Sequence, residues 1–251
     1  MDLIVIGTGK MAEAIIAGAS KEFKITIIGR DTKRLSYFVE KYPNIESTGL
    51  LDSPIEVEGK DIILAIKPNA LESISIFLSG EANAIISVLA GVSLDELKDK
   101  LNAKYFIRAM PNLAATYQKS MTTIYGDIEY KESAIKICES FGNVLWLEKE
   151  SDISICTALA GSAPAFLAIV AEALEDGAVR EGLKRDSARV VISALFEGFS
   201  ELLKHNEPTL IKQEVMSPGG TTAEGCFELE DSAVRSAFIK AISSATKKAR
   251  G

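Results

Sequence analysis

The first 148 residues alternate short apolar runs, rich in β-branched residues, with stretches of helical periodicity. This alternation is typical of βαβ units, in which parallel strands form one sheet and the intervening helices cover its faces. The predicted strands are Leu3–Gly7, Lys24–Ile28, Asp61–Ile66, Ala84–Leu89 and Val144–Leu147, and the predicted helices are Met11–Ala19, Thr32–Lys41, Leu94–Leu101 and Lys131–Phe141. We therefore predict an α/β fold with a parallel sheet in this half of the chain.

The periodicity changes after Leu147, where the apolar residues fall on helical stripes. The segments Arg185–Lys204 and Val234–Ala245 each carry one such stripe. We place a domain boundary near Glu150, with residues 1–150 as the first domain and residues 151–251 as an all-helical second domain. A second domain of about 100 residues cannot cover such faces by itself, so we expect it to dimerise.

The composition narrows the class of protein. Of the 251 residues 47% are hydrophobic, and the net charge of -7 comes from 28 basic and 35 acidic residues that are interleaved along the chain. Because no basic block is present, we expect no nucleic-acid partner. Cys138, Cys156 and Cys226 are far apart and show no CxxC spacing, which indicates free thiols in a reducing compartment, the cytoplasm. The scattered cysteines and the single histidine, His205, also predict no bound metal.

Two observations predict a chain that neither enters the secretory pathway nor crosses a membrane. The first strand begins at Leu3, which leaves no room for a signal peptide. The most apolar window, Cys156–Ala171, ends at Glu172 before it could span a bilayer.

The segment Gly7-Thr8-Gly9-Lys10-Met11-Ala12 follows the first predicted strand and opens a helix. In this context the GxGxxA pattern predicts a Rossmann-type dinucleotide site. Gly7 would make the tight turn, Gly9 would let the backbone approach a pyrophosphate, and Ala12 would allow close packing of helix on sheet. The N-terminus of the helix would face the phosphates. The alternative is an ordinary glycine-rich turn.

The second strand ends in Gly29-Arg30-Asp31, where an acidic residue usually holds the ribose of NAD. Arg30 could instead bind the 2′-phosphate of NADPH through charge-assisted hydrogen bonds. Asp31 could hold the ribose of NADH, so the sequence does not decide between the two cofactors. The alternative for Arg30 is a solvated surface arginine without a ligand. Lys67-Pro68 and Ala90-Gly91 follow other strands, at the sheet edge where ligands bind in open α/β folds.

The segment Ser217-Pro218-Gly219-Gly220-Thr221-Thr222 is the sharpest motif in the helical half. A turn followed by a helix N-terminus would cluster backbone N–H groups and hydroxyls, which together suit a small anion such as a carboxylate. A turn and helix cap without a ligand is the alternative.

Taken together, these motifs resemble the pyrroline-5-carboxylate reductase family from about Leu3 to Ala249. The marks of the resemblance are the GTGKMA turn, Ala65–Pro68, Ser87–Ser93, Arg108–Asn112, Thr157–Ala165 and the SPGGTT segment. Ser53 departs from the family pattern, because an asparagine near that position often touches the cofactor.

The resemblance implies roles for particular residues. Ala65, Lys67 and Pro68 would help hold the cofactor, while Ala90-Gly91-Val92 and Met110-Pro111-Asn112 would lie near nicotinamide and substrate. The substrate carboxylate would be bound by Ser217, Gly219, Gly220, Thr221 and Thr222. The hydroxyl of Thr222 is also the candidate for a hydrogen bond or proton relay to the substrate nitrogen.

The implied activity is reduction of 1-pyrroline-5-carboxylate to proline by hydride transfer from NADPH, with NADH as the alternative. Two chains of that family interlock through the helical domain, so one chain's SPGGTT segment completes a pocket beside its partner. Rings of five dimers also occur in the family, which leaves a decamer open. Two other classes of protein remain: another Rossmann-plus-helical dehydrogenase acting on a hydroxy acid or imine, and a non-catalytic nucleotide sensor.

Overall fold

The computed structural model describes residues 2–42 and 44–250 and divides into two units. The first unit contains residues up to 162 and the C-terminal segment from residue 245, and the second contains residues 163–244. The first unit thus includes a short helix, Asp152–Cys156, that follows the boundary predicted near Glu150. The division into residues 1–150 and 151–251 stays a prediction.

An eight-stranded sheet forms the centre of the first unit, in the order β10-β9-β8-β7-β5-β1-β2-β3. The two remaining strands, β4 and β6, form a small parallel sheet of their own. The strands are β1 (Asp2–Ile6), β2 (Lys24–Gly29), β3 (Ile45–Leu50), β4 (Ile55–Glu56), β5 (Asp61–Leu64), β6 (Leu78–Ser79), β7 (Ala82–Ser87), β8 (Ala103–Met110), β9 (Ser120–Gly126) and β10 (Gly142–Trp146). The predicted α/β class with a Rossmann-type sheet is confirmed.

One pair of strands departs from the predicted parallel sheet. β8 and β9 are antiparallel, whereas the other neighbouring strands of the large sheet run parallel. The connection, residues 111–119, holds only a short 3₁₀ turn at Leu113–Tyr117. A parallel crossover needs about a dozen residues or more, so the chain reverses direction here instead.

Helices cover both faces of the large sheet. The helices on these faces are α1 (Lys10–Ala19), α2 (Thr32–Lys41), α3 (Leu71–Ser75), α4 (Leu94–Lys100) and α5 (Lys131–Glu139). The chain continues with α6 (Asp152–Cys156), α7 (Ala163–Arg180), α8 (Arg185–His205), α9 (Pro208–Val215), α10 (Thr221–Asp231) and α11 (Val234–Ala249). In β1, Leu3 and Val5 belong to one core cluster, and Ile4 and Ile6 to the other. The side chains of a strand alternate between faces, and here both faces are buried, which explains why the strand is apolar throughout.

The second unit is helical and buries few of its own side chains. Within residues 163–244, all of which the structure describes, Ala188 and Ile211 are the two buried residues. Large apolar side chains are exposed along its helices, including Leu167, Ile169, Leu174, Val190, Val191, Leu195, Phe227, Leu229 and Ile239. An exposed apolar surface of this extent indicates a surface that another protein chain covers.

The apolar helical stretch Asp152–Arg180 is longer than the sequence analysis expected. It joins α6 to α7 through a π-helical turn, Thr157–Ser162. Its length and composition match a membrane span, and 11% of its most apolar window is buried. The expectation that Glu172 ends this window too early is therefore wrong on those two measures. One such helix is weak evidence for a membrane, because core helices of soluble proteins pass the same test.

A glycine in α1 provides a test of the packing between this helix and the segment that joins α5 to β10. A Cβ added at Gly18 would lie 2.2 Å from the carbonyl oxygen of Ser140 and 3.0 Å from the Cα of Phe141. Glycine-to-alanine changes inside helices ordinarily stabilise by about 0.5–1 kcal/mol, but overpacking against backbone costs about 1–3 kcal/mol. We expect Gly18→Ala to lower the Tm by about 3 °C, measured by thermal unfolding at fixed protein concentration. A higher Tm would contradict the tight contact.

Candidate functional site

A cavity of about 920 Å³ opens at the carboxyl ends of β1, β2 and β5. β1 lies between the other two strands, so the strand order reverses direction here, and ligands of open α/β sheets bind at such a point. The volume lies within the range of about 300–1,000 Å³ that is common for ligand pockets. The predicted cofactor residues that line the cavity are Gly7, Thr8, Gly9, Lys10, Met11, Arg30, Ala65 and Lys67.

Gly7 forms the turn that closes one side of this cavity. Its φ is +126°, a conformation that residues with a Cβ rarely adopt. Its N–H donates to the carbonyl of Ile28 at 2.8 Å, and an added Cβ would lie 2.2 Å from the carbonyl oxygen of Ala65. Gly7 therefore lies between the ends of two neighbouring strands, where only glycine fits.

Gly9 precedes α1 and faces open space. Its backbone is extended, no side chain caps the helix, and nothing lies within 4 Å of an added Cβ. The N–H groups of the first helical turn have no acceptors within the helix, so the turn and the helix dipole present an anion-binding surface. Ala12 does not line the cavity; it is fully buried in the core between helix and sheet.

Arg30 and Asp31 have different roles at the end of β2. The side chain of Asp31 caps α2, because its Oδ1 accepts from the backbone N–H of Lys33 at 2.9 Å and of Arg34 at 3.4 Å. Arg30 is exposed and lines the cavity. The carboxylate is thus engaged by the helix N-terminus, while the guanidinium remains available to a bound anion.

The segment after β5 forms a second wall of the cavity. The N–H of Ala65 donates to the carbonyl of Ile6 at 2.8 Å, which holds this segment beside β1. Lys67 is extended and precedes a 3₁₀ turn, Pro68–Ala70, in which Pro68 takes the first position. Pro68 does not line the cavity, so its contribution is to begin the turn.

Ala90 and Gly91 line a different, smaller cavity of about 330 Å³ within the same unit. Arg108 and Lys248 contribute basic side chains to this cavity. Its hydroxyl groups come from Ser154, Thr157 and Ser162. The hydroxyl of Thr157 donates to the carbonyl of Ile153, and the hydroxyl of Ser162 donates to the carbonyl of Thr157, so both hydroxyl oxygens can still accept.

Arg108, which lines this smaller cavity, forms an ion pair with Glu150. The guanidinium of Arg108 donates to Oε1 of Glu150 at 2.8 Å, and that oxygen also accepts from the N–H of Leu94 at 2.8 Å. The Arg108 side chain is 11% exposed, and Glu150 offsets the cost of removing its charge from water. The pair links β8, the segment after β10 and the start of α4.

The predicted residues Met110, Pro111 and Asn112 lie at the end of β8. Met110 is buried in a small cluster with Leu147 and Ile153. Asn112 is engaged in structural hydrogen bonds: its Oδ1 accepts from the N–H of Ala114, and its Nδ2 donates to the carbonyl of Ala160, both at 3.0 Å.

The SPGGTT segment belongs to the second unit and forms a turn at the start of α10. The N–H of Gly220 donates to the carbonyl of Ser217 at 3.0 Å, and Gly219 has a φ of +67°. Gly220 occupies the N-cap, with no side-chain cap, and Thr221 and Thr222 open the helix. The turn therefore offers uncapped N–H groups next to three hydroxyls, as the sequence predicts.

Sequence analysis missed several residues at the main cavity. Asn69 and Ser73 line it from the segment after β5. Arg34 lies in α2 and contacts the backbone of the glycine turn, with its Nη2 3.1 Å from the carbonyl oxygen of Thr8. No local sequence signal marks this contact, because it joins residues 26 positions apart and exists only once α1 and α2 lie side by side.

Alanine at the two glycines of the turn should have different effects, on stability at Gly7 and on cofactor binding at Gly9. We expect Gly7→Ala to lower the Tm by several degrees, because it combines a left-handed φ with a backbone clash. We expect Gly9→Ala to keep the wild-type Tm and to bind a reduced dinucleotide at least about tenfold more weakly, because its methyl would occupy the open space before the helix. Thermal unfolding and cofactor fluorescence measure the two effects. Unchanged binding by Gly9→Ala would refute the proposed approach of the phosphates.

Comparisons with known proteins agree with this architecture. Residues 150–251 match the family described as pyrroline-5-carboxylate reductase dimerisation, and residues 2–91 match the family described as NADP oxidoreductase, coenzyme F420-dependent. These matches agree with the predicted self-association and the predicted NADPH.

Full-length relatives extend the likeness over both units. Pyrroline-5-carboxylate reductase of Helicobacter pylori strain J99 is 34% identical over 98% of this chain and 97% of its own length. The enzyme of the same name from Synechocystis is 35% identical over 100% of this chain and 97% of its own length. The solved structure of the Streptococcus pyogenes enzyme has a TM-score of 0.85 at 29% identity and covers 100% of this chain and 98% of that one. The chain therefore belongs to the pyrroline-5-carboxylate reductase family.

Proposed function

We propose that this protein reduces 1-pyrroline-5-carboxylate to L-proline with a reduced nicotinamide dinucleotide, the last step of proline biosynthesis. The observation that carries the proposal is the identity of 34% with a pyrroline-5-carboxylate reductase over 98% of the chain. The cavity at the glycine turn supports it independently, because its position and lining suit a dinucleotide. The reaction takes place in the cytoplasm, where the free cysteines stay reduced.

NADPH is the proposed cofactor, and it supplies the hydride when bound. Thr8, Gly9, Lys10 and Met11 would hold its pyrophosphate through backbone N–H groups, with Gly7 making the tight turn and Ala12 keeping α1 close to the sheet. Lys67 would add a positive charge beside Ala65, and Pro68 fixes the turn that follows.

The choice of NADPH over NADH is supported by the arrangement at the end of β2. Arg30 offers a free guanidinium, whereas Asp31, which would favour the ribose hydroxyls of NADH, is engaged in capping α2. On this proposal Arg30 binds the 2′-phosphate. Ala90, Gly91 and Asn112 are proposed to lie towards the nicotinamide end.

The substrate carboxylate is proposed to bind at the start of α10. Ser217, Gly219, Gly220 and Thr221 would surround it with N–H groups and hydroxyls, and Met110 and Pro111 would contact the ring. Orientation supplies much of the rate, because a flat ring held against the reduced cofactor needs little further chemistry from the protein. The carbon of the C=N bond receives the hydride, and the nitrogen receives a proton.

Self-association is expected to be part of the active enzyme. The helical segment matches a dimerisation family, and residues 163–244 leave most of their apolar side chains exposed. We propose that the SPGGTT segment of one chain completes the site beside its partner's sheet. Assembly into a decamer stays a prediction of the resemblance, to be measured by sedimentation.

The direct test uses purified protein, the pyrroline acid and each reduced cofactor in turn. We expect cofactor oxidation and proline to appear in equal amounts, with NADPH used more efficiently than NADH. Cofactor binding without oxidation would instead support a nucleotide sensor. Cofactor oxidation with another imine, or with the keto acid that corresponds to a hydroxy acid, but not with the pyrroline acid, would support a different dehydrogenase.

Thr222 is proposed to donate a hydrogen bond, and relay a proton, to the substrate nitrogen. We expect Thr222→Ala to lower kcat about 100-fold, in the range of general acid catalysis, with a smaller change in KM. Thr222→Ser should retain most of the activity because it keeps the hydroxyl. Thr209→Ala, at an exposed position of α9, is the control and should behave as wild type. An unchanged kcat with a raised KM would assign Thr222 to binding alone.

A further inference from the structure

Arg34 connects α2 to the glycine turn at the main cavity. Its Nη2 lies 3.1 Å from the carbonyl oxygen of Thr8 and 3.1 Å from Oε2 of Glu13, a residue of α1. The guanidinium carbon also lies 5.0 Å from the ring centre of Tyr37 and 5.2 Å from that of Phe38. Contacts to a carbonyl, a carboxylate and two aromatic rings hold the guanidinium in one place.

Glu13 is itself held firmly, so it can anchor Arg34. Its other oxygen, Oε1, accepts from the hydroxyl of Tyr37 at 2.7 Å and from the ammonium of Lys41 at 2.9 Å. Partial burial raises the pKa of this carboxyl, but hydrogen bonds from Lys41, Tyr37 and Arg34 outweigh burial and lower the pKa to about 2. Glu13 is therefore ionised at every pH at which the enzyme is expected to work.

The contact with Thr8 determines the direction of the next N–H group. The carbonyl of Thr8 and the N–H of Gly9 belong to one planar trans peptide, in which the two groups point in opposite directions. With the carbonyl fixed towards Arg34, the N–H of Gly9 must point the other way. A reversed peptide would instead turn the carbonyl dipole towards the space where an anion binds.

We propose that Arg34 is a positioning residue for the cofactor, which fixes the Thr8–Gly9 peptide so that the N–H of Gly9 faces the pyrophosphate. Arg34 acts through the backbone and, with its guanidinium engaged by Thr8 and Glu13, leaves the 2′-phosphate to Arg30. This inference rests on the proposed function only in requiring that the chain binds a nicotinamide dinucleotide.

NADPH and NADH distinguish positioning from direct contact. Both cofactors carry the pyrophosphate, whereas only NADPH carries the 2′-phosphate. We expect Arg34→Met to weaken the binding of NADPH and NADH by the same factor, about tenfold, the effect of losing one charge-assisted hydrogen bond. Arg30→Met is the matched control, which should weaken NADPH binding and leave NADH binding unchanged.

The measurement is the dissociation constant of each reduced cofactor, determined by cofactor fluorescence, together with kcat and KM. Loss of positioning should appear in the KM of both cofactors, with kcat changed by less than about twofold, because bound cofactor reacts as before. Arg34→Lys should restore part of the affinity, because an ammonium keeps the charge but lacks the planar fork. A second variant, Glu13→Gln, retains Arg34 but removes its charged partner. It should weaken the binding of NADPH and NADH by the same factor, which should be smaller than the factor for Arg34→Met.

Each outcome decides the inference. Weaker binding of NADPH alone by Arg34→Met would overturn it in favour of direct contact with the 2′-phosphate, and unchanged binding of both cofactors would overturn it outright. If Arg34→Met fails to fold, Glu13→Gln and Arg34→Lys carry the same comparison. Binding is measured without the imine. A protein that binds cofactor but does not reduce the pyrroline acid would therefore refute the proposed function and leave the inference about Arg34 testable. A wild-type protein that binds neither cofactor would refute both the proposed function and the inference about Arg34.

Discussion

The main cavity depends on how closely the turn after β1 approaches the ends of its two neighbouring strands. Gly7 donates to the carbonyl of Ile28 on one side, and on the other side the carbonyl oxygen of Ala65 occupies the space that a Cβ would need. This close fit lets the chain leave β1 and enter α1 without a wider loop between strand and helix. The helix N-terminus therefore lies directly over the carboxyl ends of the strands. Its free N–H groups and the helix dipole make this part of the cavity suitable for an anion.

The charges around this cavity differ from those of the chain as a whole. The net charge is -7, yet Lys10, Arg30 and Lys67 all project an exposed basic group at the cavity. Asp31 is the acidic residue that lines it, and the N-terminus of α2 holds that carboxylate. A local positive potential on an acidic protein favours the approach of an anionic ligand to this one region of the surface. The hydrogen bonds of Asp31 thus affect both the start of α2 and the charge that a ligand meets.

The elements that sequence could predict are those whose residues carry their own pattern. β1 and β5 are apolar on both faces, so their continuous apolar runs were visible without any neighbour. β3 was missed because its sequence, IESTGL, is mostly exposed at the edge of the sheet and shows no such run. β8 and β9 are absent from the predicted strands, and the antiparallel direction of β9 depends on the length of one connection rather than on the strand's own residues.

The same distinction holds at the candidate site. The glycine turn and the SPGGTT segment are contiguous in sequence, and each forms the turn and helix start that its residues predict. The helix cap by Asp31 follows from a local rule as well, although the sequence alone left its role open. The contacts of Arg34 with Thr8 and of Arg108 with Glu150 join distant segments, so only the folded chain could reveal them.

The helical unit shows why this chain needs a second copy. A domain gains stability mainly by burying apolar surface, yet residues 163–244 bury only Ala188 and Ile211 within one chain. Phe227, Ile239 and Val190 are each more than 60% exposed. Within one chain they therefore contribute little apolar burial to offset the entropy cost of ordering these helices. Residues 150–251 match a dimerisation family, which indicates that a second copy of the chain covers this apolar surface. The exposed apolar residues of α7, such as Leu167, Ile169 and Leu174, fit the same explanation, because a helix that contacts a partner chain needs apolar residues where a solvated helix would have polar ones.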